Sequence, residues 1–135
     1  FIGVFDFDTK MFSYASAAHN PPWMFSPQSD GTFKMNSFVA KGERLGESRD
    51  NDSFEVKSVP FQHHDTIVFY TDGLIEGKNL DGAQYGKKLA RKILEESMSQ
   101  LPVTVVERLM NDFVNFNTGK ELDDDVTLAV VRIMS

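Results

Sequence analysis

The sequence predicts an α+β fold with mostly antiparallel strand pairing. Three observations carry that prediction. Residues 1–60 hold short segments of alternating apolar and polar residues, separated by turn residues. After Asp72 the apolar spacing lengthens to four residues, the mark of amphipathic helices. One last apolar run, Val126 to Ile133, then follows the helices alone. Many strands, two helices and one closing strand do not alternate as a parallel βαβ fold would.

The elements follow in order. Residues 1–7 and 11–18 read as two strands around a turn at Asp8-Thr9-Lys10. Met11, Ser13 and Ala15 alternate with Phe12, Tyr14 and Ser16, as in a half-buried hairpin. His19-Asn20-Pro21-Pro22 breaks the ladder, because proline has no N–H to give it. Trp23-Met24-Phe25 resumes a strand, Ser29-Asp30-Gly31 turns it, and Thr32 to Met35 returns. Residues 40–52 are loop-like, and 53–60 alternate again through Phe54, Val56 and Val59. Residues 65–71 form a continuous apolar run, expected for a central strand covered on both faces. Tyr85, Leu89 and Ile93, with Ala90, Leu94 and Met98, mark a first helix. Leu101-Pro102 punctuates. Val105, Leu109 and Phe113, with Val106 and Met110, mark a second helix to about Phe116, and Gly119 suits its C-cap. There is no internal repeat, low-complexity tract or linker.

Composition narrows the function classes. A chain of 135 residues has the size of one domain, and 41% hydrophobic content supports a core. The net charge is −6, and no Lys/Arg cluster forms a stripe that would track phosphates, so nucleic acid is not an expected partner. Cysteine is absent, which excludes disulfides, thiolate nucleophiles and zinc-thiolate sites and fits a reducing cytoplasm. No apolar run approaches the ~20 residues that span a bilayer. The chain starts on Phe1-Ile2-Gly3-Val4-Phe5, an apolar run that reads as mid-domain strand. The expectation is therefore a piece of a longer protein.

Two acidic turns flank the helical region. Tyr70-Thr71-Asp72-Gly73-Leu74 closes one apolar run, and Asp123-Asp124-Asp125-Val126-Thr127 opens another. Asp-Gly is a favoured turn pair whatever the chemistry, and acids after a loop often serve only to solvate it. Two such turns beside central-looking strands, however, can meet at one rim of a sheet. Converging carboxylates repel unless a cation or a proton lies between them. The hard-cation answer is Mg²⁺ or Mn²⁺ on oxygen ligands.

A family resemblance rests on five stretches in order. They are Ala17-Ala18-His19-Asn20-Pro21-Pro22, Lys41-Gly42-Glu43-Arg44-Leu45-Gly46, the run from Asp65 through Asp72-Gly73-Leu74-Ile75-Glu76, Asp81-Gly82-Ala83-Gln84-Tyr85-Gly86, and Asp124-Asp125-Val126-Thr127-Leu128. Together they cover nearly the whole chain. It resembles the C-terminal part of the SpoIIE-type (PPM-type, phosphatase 2C-like) serine phosphatase domain. The resemblance implies a mostly antiparallel β-sandwich flanked by helices, with residues 1–135 as the C-terminal fragment of a single domain whose N-terminal part is missing. It also implies a two-metal Mg²⁺ or Mn²⁺ site in the complete domain, where an activated water attacks the phosphorus of a phosphoserine or phosphothreonine. Carried over by position, Asp72, Gly73 and Asp124 sit at the metals, with Asp72 and Asp124 as the catalytic carboxylates. Asp125, Thr71, Thr127 and His19 support them, the two threonines as structural hydroxyls and His19 as a hydrogen-bonding loop residue.

Two positions depart from the family. Ala18-His19 stands where Gly-His is usual. An Asp-x-x-Gly-His-Gly-type motif, whose Asp bridges both metals, has no match here, since Asp6-Phe7-Asp8 lacks the glycines. The implied activity therefore belongs to the parent protein, and this piece alone is expected to bind metal weakly. The implied substrate is a phosphoserine regulatory protein, such as a STAS-type anti-sigma-factor antagonist. An upstream sensor or receiver domain is the implied control. Cytoplasmic location, or membrane anchoring through the missing N-terminal region, is expected, and unpaired edges make a homodimer an expectation. The alternatives are a non-catalytic pseudophosphatase module and, further off, a haloacid-dehalogenase-type phosphatase using Asp6-Phe7-Asp8. His63-His64 reads as an exposed turn, and Lys87, Lys88, Arg91 and Lys92 as the solvated face of the first helix.

Overall fold

The computed structural model describes residues 1–46 and 53–134. The expected loop over 40–52 thus lies partly outside the described residues, at 47–52. The elements are β1 (Ile2–Asp6), β2 (Met11–Ala15), β3 (Trp23–Pro27), β4 (Phe33–Ser37), β5 (Lys57–Pro60), β6 (Thr66–Tyr70), α1 (Asp72–Glu76), α2 (Gly86–Ser97), α3 (Pro102–Phe116) and β7 (Leu128–Arg132).

The strands form two antiparallel sheets, ordered β1-β2-β5 and β4-β3-β6-β7. Alternation then decides what each face meets. On β6, Ile67 and Phe69 join Phe12, Tyr14, Met24, Phe38 and Phe61 in a core between the sheets. Val68 and Tyr70, one residue out of phase, join Trp23 and Phe25 against Leu94, Met98, Val105, Leu109 and Phe113 of the helices. The result has three layers: sheet, sheet, helix pair. β6 is buried on both sides, as its unbroken apolar sequence requires. Each large side chain buried this way contributes roughly 1.5–3 kcal/mol.

Several boundaries differ from expectation. The helical region has three helices, because Asp72–Glu76 forms a single turn too short to show a period. Strand structure in 53–60 begins only at Lys57; before it, Glu55 turns back, its N–H donating to Lys41 O and its carboxylate accepting the Lys41 N–H. β7 was expected to be central but is an edge strand paired only with β6, with every second residue exposed. Asn117 rather than Gly119 caps α3, its N–H and side-chain amide both donating to Phe113 O. Leu89 is exposed on the outer face of α2. No strand pair is parallel among the described residues, which removes the architecture that the haloacid-dehalogenase alternative needs.

The helix pair is tied to the sheet by Arg132. Its guanidinium donates to Thr66 Oγ1 (2.9 Å), Gln100 O (2.7 Å) and Met98 O (2.7 Å). Burial lowers the Arg132 pKa, yet its partners are all neutral oxygens. The two helices are also tied to each other: Tyr85, at the start of α2, donates to Asp112 Oδ2 of α3 at 2.7 Å.

Arg132→Met keeps the stem and removes three hydrogen bonds, leaving two carbonyls of the helix connector short of donors. It is expected to cost about 2–4 kcal/mol, read as a lower urea midpoint at unchanged slope. Alkaline pH supplies a second test. Burial pushes the Tyr70 hydroxyl from 10.0 up to about 12, and Tyr85 is also raised, first by burial and then by its bond to Asp112. Below about pH 10 both states hold these protons and stability is complete. As pH rises through the folded values the unfolded chain ionises first, so stability falls. The Tyr70 hydroxyl is buried without a hydrogen-bond partner among the described residues. Tyr70→Phe is therefore expected to flatten the alkaline loss without lowering stability at neutral pH.

Candidate functional site

The two acidic turns meet at one end of the β6–β7 pair. The last register pair of that ladder is Tyr70 with Leu128, and Thr71 and Thr127 add one rung beyond it. The Thr71 N–H donates to Thr127 O at 3.1 Å. The Thr71 hydroxyl accepts the Thr127 N–H at 2.9 Å and donates to Asp125 O at 3.2 Å. Thr71 is extended (φ −90°, ψ 163°) and α1 starts on the next residue, so Asp72 opens a helix where a plain turn was expected. Thr127 acts through its backbone at this rung, where a structural hydroxyl was expected.

Gly73 is buried where the turns touch. A Cβ there would stand 2.4 Å from Asp125 O, with Asp124 O also near at 3.4 Å. Backbone occupies that space, so only glycine fits. The Gly73 carbonyl accepts the Gly77 N–H at 3.2 Å inside α1.

Each key carboxylate has one oxygen held by the next N–H. Asp72 Oδ1 accepts from Gly73 at 3.1 Å, and Asp124 Oδ1 accepts from Asp125 at 2.8 Å. Lys120 pairs with Asp123 at 3.1 Å, whereas neither Asp72 nor Asp124 forms an ion pair among the described residues. Asp72, Asp124 and Asp125 are all exposed. The carboxylates of Asp72 and Asp124 line separate, neighbouring clefts. Asp72 borders one of about 260 Å³ with Ala18, His19, Asn20, Thr71 and Glu76. Asp124 borders another of about 260 Å³ with Gly73, Glu76, Lys78 and Gln84. Glu76, four residues after Asp72 on α1, is common to both.

His19 lines the Asp72 cleft and also an aromatic cavity of about 370 Å³ beside Phe1 and Phe69. Its Nδ1 lies 2.8 Å from Asn20 O, and because a carbonyl can only accept, Nδ1 carries the proton. Ser16 braces the loop, its Oγ accepting the His19 N–H at 3.3 Å. Ala18 has φ +55°, the left-handed region that costs an L-residue about 1–2 kcal/mol. That is the position where the family resemblance leads one to expect glycine. His63 and His64 are exposed at the opposite end of β6, as expected.

The donor chemistry fits a hard divalent cation, which takes one or two carboxylates and completes its shell with water and substrate oxygens. The set is partial: no group of three or more His, Cys, Asp or Glu among the described residues is placed to hold a metal. Sequence reasoning missed Glu76 and Ser16. The four-residue spacing of Asp72 and Glu76 is a usable signal for the first, once Asp72–Glu76 is known to be helical.

A three-layer arrangement with paired acidic turns beside β6 and β7 defines a PPM-type, phosphatase 2C-like phosphatase domain. The chain belongs to the SpoIIE family: the family model for stage II sporulation protein E matches residues 1–134. It is 32% identical over 132 residues to phosphoserine phosphatase RsbU of Bacillus subtilis (strain 168), covering 98% of this chain and 38% of that protein. The chain thus spans well under half the length of this relative. Among solved structures, the SiaA-PP2C domain of Pseudomonas aeruginosa superposes with a TM-score of 0.78 at 18% identity, over 96% of this chain and 49% of that one. The phosphatase domain of SpoIIE from Bacillus subtilis, presoaked with Mn, superposes at 0.69 and 18% identity, over 98% of this chain and 55% of that one. At that identity these two establish the fold.

Gly73→Ala is expected to force the acidic turns apart, costing roughly 2–3 kcal/mol. Thermal unfolding measures the loss; Gly31→Ala, which meets nothing at the Cβ position but sits at φ +83°, reports left-handed backbone strain alone, about 1–2 kcal/mol, against which the clash at Gly73 is read.

Proposed function

We propose that this chain is the C-terminal part of one phosphatase domain in a Mg²⁺- or Mn²⁺-dependent protein serine/threonine phosphatase of bacterial signalling. The observation that carries it is the rung between Thr71 and Thr127, which brings Asp72-Gly73 into contact with Asp124-Asp125. RsbU, the relative described as a phosphoserine phosphatase, supports the substrate class.

In this reading Asp72 and Asp124 would hold divalent cations through their carboxylates, each of which has one oxygen on the next N–H. When bound, such cations lower the pKa of water and neutralise charge on a transferring phosphoryl group. The chain's own residues supply placement. Gly73 permits the close approach, Asp125 turns its carbonyl to Thr71, and the Asp72 and Asp124 carboxylates meet no cationic side chain among the described residues. This chain has no cysteine and so supplies no thiol nucleophile of its own. The proposed substrate is a phosphoserine on a regulatory protein of the anti-sigma-factor-antagonist kind. The proposed setting is a cytoplasmic, sensor-controlled protein that pairs as a homodimer; Ile2 and Val4, 68% and 61% exposed on the edge strand β1, support an apolar edge there. The partial ligand set favours one second reading, a non-catalytic module that keeps the fold and binds a partner.

Mn²⁺-dependent hydrolysis of a phosphomonoester by the full-length protein separates the two. Asp72→Asn and Asp124→Asn are each expected to reduce the rate roughly a hundredfold or more, the loss of several kcal/mol of cation-derived stabilisation. A folded full-length protein with no metal-dependent activity would select the binding module.

A further inference from the structure

We propose that Thr71 is a positioning residue for divalent-cation binding: its hydroxyl fixes Asp72 and Asp124 relative to one another, an inference that rests on the phosphatase reading above. The two aspartates are 52 positions apart in sequence and belong to different segments. Their own side-chain bonds are purely local, each to the N–H of the following residue, and so set no distance between the turns. Among the described residues three bonds cross from one turn to the other, and all involve Thr71: its N–H to Thr127 O, and its hydroxyl to both the Thr127 N–H and Asp125 O. The hydroxyl works in both directions, accepting at 2.9 Å and donating at 3.2 Å, so its single proton is committed to Asp125. It thereby grips the second turn on both sides of Val126, starting at Asp125, one residue past Asp124. The next residue in the first turn is Asp72 itself. Gly73 permits this contact by lacking a Cβ but supplies no attraction across it.

The grip is absent from the edge-strand ladder alone. The strand ladder ends at Tyr70 and Leu128, and among the described residues the rung beyond it would, without the hydroxyl, rest on one backbone bond, Thr71 N–H to Thr127 O. Serine retains both hydroxyl bonds. Valine matches threonine in shape and keeps neither.

The test uses the full-length protein and three variants: Thr71→Ser, Thr71→Val and Thr71→Ala, with Asp72→Asn as control. Mn²⁺ affinity is read by electron paramagnetic resonance titration, and hydrogen exchange of the Thr127 amide is read in the metal-free protein. Thr71→Val is expected to weaken Mn²⁺ binding at least about tenfold, as loss of an outer support to a metal ligand does, while Thr71→Ser stays within about threefold of the parent. The Thr127 amide is expected to exchange at least about tenfold faster in Thr71→Val and to remain protected in Asp72→Asn, which loses Mn²⁺ for a different reason. Folded Thr71→Val or Thr71→Ala with parental Mn²⁺ affinity would overturn the inference. So would unfolding of both, which would make the hydroxyl a determinant of the fold. Absence of Mn²⁺ binding in the parent protein, with the Thr127 amide still protected by Thr71, would instead sink the metal reading and the inference with it.

Discussion

Burial of β6 on both faces is the constraint on which the molecule depends. Thr66–Tyr70 has no polar side to show to solvent, so it forces a layer above and a layer below. The sheet β1-β2-β5 answers on one side with Phe12, Tyr14 and Phe61, and the helix pair answers on the other with Leu94, Leu109 and Phe113. A strand so enclosed has a fixed register, because a slip by one residue would exchange the two cores. Its C-terminal end is therefore a rigid point, and Thr71-Asp72-Gly73 starts from it.

The end of the sandwich where the acidic turns meet shows how such rigidity is used. Lys120 meets Asp123, and Arg91 and Lys92 meet Glu95 and Glu96, while among the described residues the Asp72 and Asp124 carboxylates accept backbone N–H groups and meet no cationic side chain. Those bonds aim the carboxylates without neutralising them. The neighbouring loop carries the backbone strain, with Ala18 in the left-handed region beside a histidine ring held in one tautomer. Strain of this kind persists only where surrounding contacts over-determine the conformation, and here Ser16, Asn20 and the Phe1 ring do so.

Much of this was legible in the sequence because side-chain periods are local. Period two gave the hairpin β1-β2, the apolar run Trp23-Met24-Phe25 gave β3, and four-residue spacing gave α2 and α3 to within a few residues. α1 escaped because five residues complete barely one turn. β7 was misjudged as central because Leu128–Arg132 is apolar enough to be buried, whereas its exposure depends on which strands stand beside it. At the site, Asp72 and Asp124 were legible from their place next to apolar runs. Their meeting at one rim was expected from that placement, whereas the hydrogen bonds that make it, spanning 54 and 56 positions, were not legible. Glu76 lay in a quoted motif but gained meaning only once α1 placed it between two clefts.

The Arg132 guanidinium has a mechanical consequence. It grasps the carbonyls of Met98 and Gln100 in the helix connector and, with the same planar fork, the hydroxyl of Thr66. Thr66 is the first residue of β6, and Asp72 follows two residues after its last. An extended strand of this length is a rod of about 17 Å. The connector is thus fastened to the butt of a short lever whose tip carries the first acidic turn. Displacing the helices along the sheet would load that lever directly, without passing through the side chains of either core.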